Sequence, residues 1–295
     1  MNGIVLIDKP SGVTSFSVTA AVKRKLNCNK AGHAGTLDPL ATGVLPVMLG
    51  RCTRFIDLGA DRKKHYQAGL VFGMTTDTLD CDGQVLTEQP VAITRKQLLA
   101  LLPRFTGAIT QIPPMYAAVK KGGVPLYKLA RQGVQVERKP RQVQIDRLDL
   151  IDFHIAQTKQ ELDTALLDIV CSKGTYVRTL IDDLGRALGC GAYMHTLRRI
   201  ASGGFEISQC IPLEQFLNSA QPTQYLLPPQ TALTGLCRAD ITPKQATLFQ
   251  NGGQLFLDRV RLQGDTPLAQ VWCDRLLGVA TVDRAQGLLC PKCLL

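Results

Sequence analysis

The segment Gly32-His33-Ala34-Gly35-Thr36-Leu37-Asp38-Pro39-Leu40-Ala41-Thr42-Gly43 sets one imidazole and one carboxylate among three glycines and a proline. Reactive groups carried on a loop between hydrophobic runs are a common way for a rigid scaffold to do chemistry. An aspartate before a proline has its backbone biased toward an extended or turn geometry, which helps fix where the side chain points. Three further elements stand out: Tyr66 after Lys63-Lys64-His65, Tyr176-Val177-Arg178 at a turn-to-helix junction, and Leu197-Arg198-Arg199. Taken singly, each has a plain explanation. Asp38 can simply initiate a turn, Tyr66 can be an ordinary strand aromatic, and Arg178 can be a solvated helix residue.

The elements that must position these groups are legible from periodicity. Residues 3–8 alternate as a strand and end in a Pro10-Ser11-Gly12 turn. Thr14 or Ser15 then caps a predicted helix to about Lys25. Residues 44–50 suit a buried strand, 51–59 a helical stretch and 66–73 another strand. Residues 77–83 read as a polar, acidic loop and 94–105 as an amphipathic helix. From 111 to 141 the pattern weakens into prolines, Gly122-Gly123 and basic residues, a composition typical of functional or mobile segments. Strands are predicted at 143–155 and 164–171, and a helix at 175–188. Residues 218–240 read as a linker rich in Pro, Gln and Thr. Residues 241–295 hold a short helix, a Gly252-Gly253 turn and short alternating runs, the pattern of a small β-rich domain.

The chain has 295 residues, room for one large domain and a small one. Lys and Arg outnumber Asp and Glu by 34 to 24, a net charge of +10. Such a balance suits a polyanionic partner, because phosphate contacts supply most non-specific nucleic-acid affinity. The basic clusters Lys23-Arg24-Lys25, Arg62-Lys63-Lys64, Lys120-Lys121, Arg138-Lys139-Pro140-Arg141 and Arg198-Arg199 agree with it. Aromatics make up only 5%, which argues against an extended stacking platform for single strands. The ten cysteines are scattered, as expected of reduced thiols. Cys290-Pro291-Lys292-Cys293 lacks the second pair that a zinc site needs, so no metal is expected. No apolar run approaches the ~18 residues of a membrane span. The beginning of the chain has no secretory-signal pattern, and a cytoplasmic location is expected.

Together the motifs resemble one family. Besides the 32–43 segment, they are Asp8-Lys9-Pro10-Ser11-Gly12-Val13-Thr14-Ser15, Lys64-His65-Tyr66, Thr76-Asp77-Thr78-Leu79-Asp80-Cys81-Asp82-Gly83, Ile112 to Lys120, Ser172 to Gly185 and Ala192 to Arg199. In this order they resemble the bacterial tRNA pseudouridine-55 synthases, the TruB family. The resemblance implies an α/β (α+β) pseudouridine synthase fold: a mixed, largely antiparallel sheet flanked by helices, plus a small C-terminal PUA-like β domain. The implied boundaries are 1–217 for the catalytic domain, with 111–141 as an RNA-clamping thumb, 218–240 for a linker and 241–295 for the PUA-like domain.

The implied reaction isomerises one T-loop uridine of tRNA to pseudouridine by base flipping, without metal or organic cofactor. Asp38 matches the family's catalytic aspartate, a carboxylate able to attack or stabilise an electron-poor centre. Arg178 matches the arginine that pairs with it, and a guanidinium can grip a carboxylate in a bidentate fashion. Tyr66 matches the tyrosine that stacks on the flipped base and assists proton removal from carbon 5. Tyr176 and Leu197 match further walls of that pocket, suited to a base's π-face. His33 matches a residue contacting the RNA, with general-base chemistry the lesser reading. Lys9 is expected to support the loop or bind phosphate. Two positions depart from the family pattern, Ala34 where Thr is common and Lys64-His65 where Lys-Arg is commoner. The implied partner is the tRNA T-arm, with no membrane and no obligatory protein partner, and a monomer is expected. The competing readings are a synthase for another RNA uridine, including one in a guide-RNA particle, and a non-catalytic tRNA-binding or folding protein.

Overall fold

A computed structural model describes residues 1–295 except 60–62, 117–119, 126–129, 131–133, 135 and 159. The chain folds into two compact units. One comprises Met1–Pro39, Gly43–Arg62 and Ala201–Leu295, and the other Leu40–Thr42 and Lys63–Ile200.

The first unit starts with β1 (Gly3–Lys9), followed by α1 (Ser15–Lys25), β2 (Ala31–His33) and β3 (Thr42–Leu49). The helix begins where the sequence says it should, because the Thr14 side chain accepts from the Ser17 backbone N–H and caps it. β3 lies between β1 and β2, antiparallel to both. Strand β1 is a continuous apolar run because both its faces are covered. Val5 and Ile7 meet Val18 and Val22 of α1, while Ile4 and Leu6 join Phe55, Phe205 and Leu233 on the other side. The 51–59 helical prediction is realised as a short 3-10 helix at Gly50–Phe55.

The second unit is built on a sheet of β4 (Lys64–Phe72), β7 (Gly107–Gln111), β8 (Arg141–His154), β9 (Thr164–Cys171) and β10 (Ala192–Ser202), in the order β10-β4-β9-β8-β7. Between β4 and β7 come a small hairpin of β5 (Met74–Thr76) and β6 (Val85–Glu88) and the capped helix α2 (Arg95–Leu101). The helix α3 (Val177–Leu188) stops at Gly189, whose φ of 82° is the left-handed geometry of a C-terminal glycine. Gly185 permits close packing of α3 against the start of β10, since a Cβ there would lie 2.2 Å from the Ala192 nitrogen. Of the weakly patterned stretch 111–141, residues 117–119, 126–129, 131–133 and 135 lie outside the described residues, and with them part of the expected thumb. Within it a two-residue ladder pairs Lys120–Lys121 with Val124–Pro125.

At Ala201 the chain returns to the first unit, where Ile211–Pro212 pairs parallel with β1. Residues 218–240 are held by local 3-10 turns and by Leu227, which exchanges two backbone hydrogen bonds with Ile4 (2.8 and 3.0 Å). A six-stranded sheet then runs from Cys237–Asp240 to Leu288–Leu294 around a core of Phe249, Val271, Leu277 and Leu289. It begins before residue 241 because Cys237 and Ala239 supply part of that core.

Candidate active site

In the first unit the opening motif clamps the Asp38 loop from both sides. Ser15 donates from Oγ to the Leu37 carbonyl (3.0 Å) and accepts from the Leu37 N–H (2.9 Å). On the other flank the Pro39 carbonyl accepts from Lys9 Nζ (3.0 Å) and from the Gly12 N–H (2.9 Å). Leu37 is buried and Asp38 half-buried, so the carboxylate sits between two pinned neighbours. Gly43, with φ of 104°, closes the loop opposite Lys9 in the β1–β3 ladder. A side chain there would be strained.

Lys9 is 0% exposed, and its ammonium donates to the carbonyls of Pro10 (2.8 Å), Val13 (2.7 Å) and Pro39. That geometry is loop support rather than a surface phosphate contact. Lys9→Met is expected to destabilise the fold by about 1.5–3 kcal/mol, the range for losing charge-assisted hydrogen bonds. It is also expected to lower activity while leaving the salt dependence of RNA binding unchanged. Chemical denaturation and a binding titration across salt concentrations check both halves.

His33 ends β2 with both ring nitrogens engaged. Thr19 Oγ1 donates its proton to the Ser15 carbonyl (2.7 Å), so His33 Nδ1 is the donor in its 3.0 Å contact with Thr19. Nε2 then accepts from Thr36 Oγ1 at 3.2 Å. The imidazole is a fixed polar plate in the loop wall.

The second unit carries Tyr66, Tyr176, Arg178 and Leu197. Tyr66 is buried on β4, paired in register with Ile169, and Leu197 is buried on β10. Next to Leu197, Arg198 Nη1 donates to Thr42 Oγ1 (3.3 Å), which ties β10 to the last threonine of the opening motif. Tyr176 is the residue before α3 and is held by an amide clasp. Its N–H donates to Gln111 Oε1 (3.0 Å) and its carbonyl accepts from Gln111 Nε2 (3.2 Å).

Arg178 is 6% exposed and spans three partners: Asp80 Oδ2 (3.3 Å), the Thr78 carbonyl (3.2 Å) and the Tyr116 carbonyl (2.8 Å). Asp80 is itself fixed, accepting from Thr78 Oγ1 (2.5 Å) and the Asp82 N–H (3.2 Å). Sequence reading takes 77–83 as an acidic loop within the Thr76–Gly83 motif and Ser15 as a possible helix cap, and so misses Asp80, Gln111 and Ser15 as supports. No local spacing could reveal them, because each acts on a residue distant in the chain.

His65 lies outside this set. Its Nε2 donates to Asp168 Oδ1 (2.6 Å), and Arg147 also bonds to Asp168. Burial alone would raise the Asp168 pKa, but the hydrogen bonds from His65 and Arg147 outweigh it and hold the carboxyl below its ordinary value. The resulting stabilisation is present above the unfolded carboxylate pKa of about 3.9. It is lost as the pH falls through the lower folded value. Asp168→Asn is therefore expected to melt below wild type at pH 7, with the gap closing below about pH 4. Thermal melts from pH 7 to pH 3 follow it.

The model of the TruB family pseudouridylate synthase N-terminal domain matches residues 23–177, and the tRNA pseudouridylate synthase B C-terminal domain matches 178–234. The tRNA pseudouridine synthase B of Stutzerimonas stutzeri (strain A1501) is 52% identical over 214 residues, covering 72% of this chain and 68% of that protein. The tRNA pseudouridine synthase B of Azoarcus sp. (strain BH72) is 42% identical over 297 residues, 100% of this chain and 95% of its own. Among solved structures, a chain in a Cbf5-Nop10-Gar1 complex superposes with a TM-score of 0.72 at 26% identity, covering 95% of this chain and 78% of that one.

Proposed function

Because the chain belongs to the TruB family of pseudouridylate synthases, we propose that it is a tRNA pseudouridine synthase acting on the T-loop uridine at position 55, with Asp38 as its catalytic carboxylate. The observation that carries the assignment of Asp38 is the double clamp. Ser15 fixes the residue before it, and Lys9 and Gly12 fix the residue after it. Pre-organisation of this kind aims a reacting group without reorganisation at the moment of reaction.

In the proposed reaction the N1–C1′ glycosidic bond of uridine breaks and a C5–C1′ bond forms. The C5 hydrogen leaves as a proton and N1 is protonated, so atoms and electrons balance without redox change. The Asp38 carboxylate attacks or stabilises an electron-poor centre of the reacting nucleotide. Arg178, fixed by Asp80 and two carbonyls, is the cation that the family resemblance pairs with the reacting carboxylate. Tyr66 stacks on the flipped uracil and assists loss of the C5 proton, Tyr176 and Leu197 wall the pocket, and His33 contacts the opened RNA loop. The six-stranded β unit from Cys237 onward acts as a PUA-like RNA-gripping domain.

Release of the C5 hydrogen gives a direct test. A tRNA transcript carrying [5-³H]uridine at the T-loop position is expected to lose tritium to water on incubation with the protein. Tight binding with no tritium release would instead identify a non-catalytic tRNA-binding protein.

A further inference from the structure

The helix α1, whose Ser15 and Thr19 contact Leu37 and His33 of the Asp38 loop, presents an unusual solvent face. Phe16 is 76% exposed, the most exposed large apolar side chain among the described residues. Its neighbours Ser15 and Thr19 take the buried positions and hold Leu37 and His33 respectively. Residues three and four apart share a helix face, so Phe16, Ala20, Lys23 and Arg24 form one stripe. Lys23 and Arg24 are exposed. From Phe16 to Lys23 the stripe runs about 10 Å along the axis at ~1.5 Å per residue, roughly three nucleotide steps of ~3.4 Å.

Charge singles out the occupant of this stripe. Between Asp8 and Asp38 the sequence contains Lys9, Lys23, Arg24, Lys25 and Lys30 and no acidic residue. A cationic stripe tipped by one aromatic ring combines the two elements of nucleic-acid binding, phosphate neutralisation and base stacking. A protein partner recognised through a hydrophobic patch would need more apolar area than a single ring.

We infer that the exposed face of α1 is an RNA-docking stripe, in which Phe16 stacks on an unpaired base of the substrate loop and Lys23 and Arg24 neutralise the adjacent phosphates. The inference rests on the proposed tRNA reading and names additional substrate-binding residues for that same site. Phe16 is the residue next to Ser15, which pins Leu37 of the proposed catalytic loop, and a base exposed by flipping of its neighbour offers a free π-face. The basic residues at the far end of the helix then follow the backbone leading away.

The test is binding of a T-arm hairpin to the full chain, with turnover measured on tRNA. Phe16→Ala is expected to weaken binding by roughly 5- to 150-fold, the loss for one stacked base, and to raise KM more than it lowers kcat. Phe16→Tyr and Phe16→Trp are expected to restore affinity, whereas Phe16→Leu, which keeps apolar area without a ring, is not. Lys23→Gln and Arg24→Gln are each expected to reduce the slope of log affinity against log salt by about 1. Wild-type affinity in Phe16→Ala, or full affinity in Phe16→Leu, would overturn the stacking role. Unchanged salt slopes would overturn the phosphate role. Failure of the tRNA reading shows separately, as wild-type protein that releases no tritium from the T-loop uridine.

Discussion

Asp38→Asn is expected to bind a T-arm hairpin as wild type does, yet to lose isomerisation by about 10⁴-fold or more, the scale seen when a central catalytic group is removed. Asparagine keeps the size and shape of the side chain and leaves the clamp intact, because Ser15, Lys9 and Gly12 all bond to the backbone on either side of position 38. The variant therefore removes charge and nucleophilicity without freeing the loop. Retained binding with lost turnover separates chemistry from recognition. Turnover within tenfold of wild type would show that the carboxylate does not react.

Arg178→Met carries the second large effect, on stability as well as activity. The guanidinium is buried against Asp80 and bonds the carbonyls of Thr78 and Tyr116. Its removal strands a buried carboxylate, and breaking a buried pair from one side costs about 3–5 kcal/mol. Replacing both partners, as Arg178→Met with Asp80→Leu, is expected to recover part of that stability, since an apolar pair in place of a buried ion pair is often tolerated. Activity is not expected to return with it, because the proposed role of Arg178 toward Asp38 is absent from both variants. Arg178→Lys is expected to fall between the two in stability, as one ammonium cannot reproduce the planar fork that reaches all three partners. Denaturant melts paired with tritium release distinguish these cases. A double variant that regains activity along with stability would reduce Arg178 to a structural residue.

Local signals made part of this legible from sequence. The strand at residues 3–8, the cap at Thr14 or Ser15 and the apolar run of β3 all report short-range physics, and the structure realises each, with Thr14 as the cap and with β1 buried on both faces instead of alternating. The β5–β6 hairpin around the acidic loop escaped because Val85–Glu88 is exposed throughout and shows no alternation. Strand β10 escaped because its burial is irregular and its sequence mixes Arg198 and Arg199 with apolar residues. The candidate reacting residues were legible through motifs, but their supports were not. Ser15 acts on Leu37, Gln111 on Tyr176 and Asp80 on Arg178, each across a distance that only the tertiary fold closes. Lys9 shows the converse. A basic residue reads from sequence as either a loop support or a phosphate ligand, and complete burial against three carbonyls favours support.

The most direct measurement is a nucleotide-resolution map of pseudouridine in an unmodified tRNA transcript, made after incubation with wild type and with Asp38→Asn in parallel. The expected result is conversion at the T-loop uridine alone with wild type, and at no uridine with Asp38→Asn. Conversion at a different uridine, or an Asp38→Asn map equal to that of wild type, would contradict it.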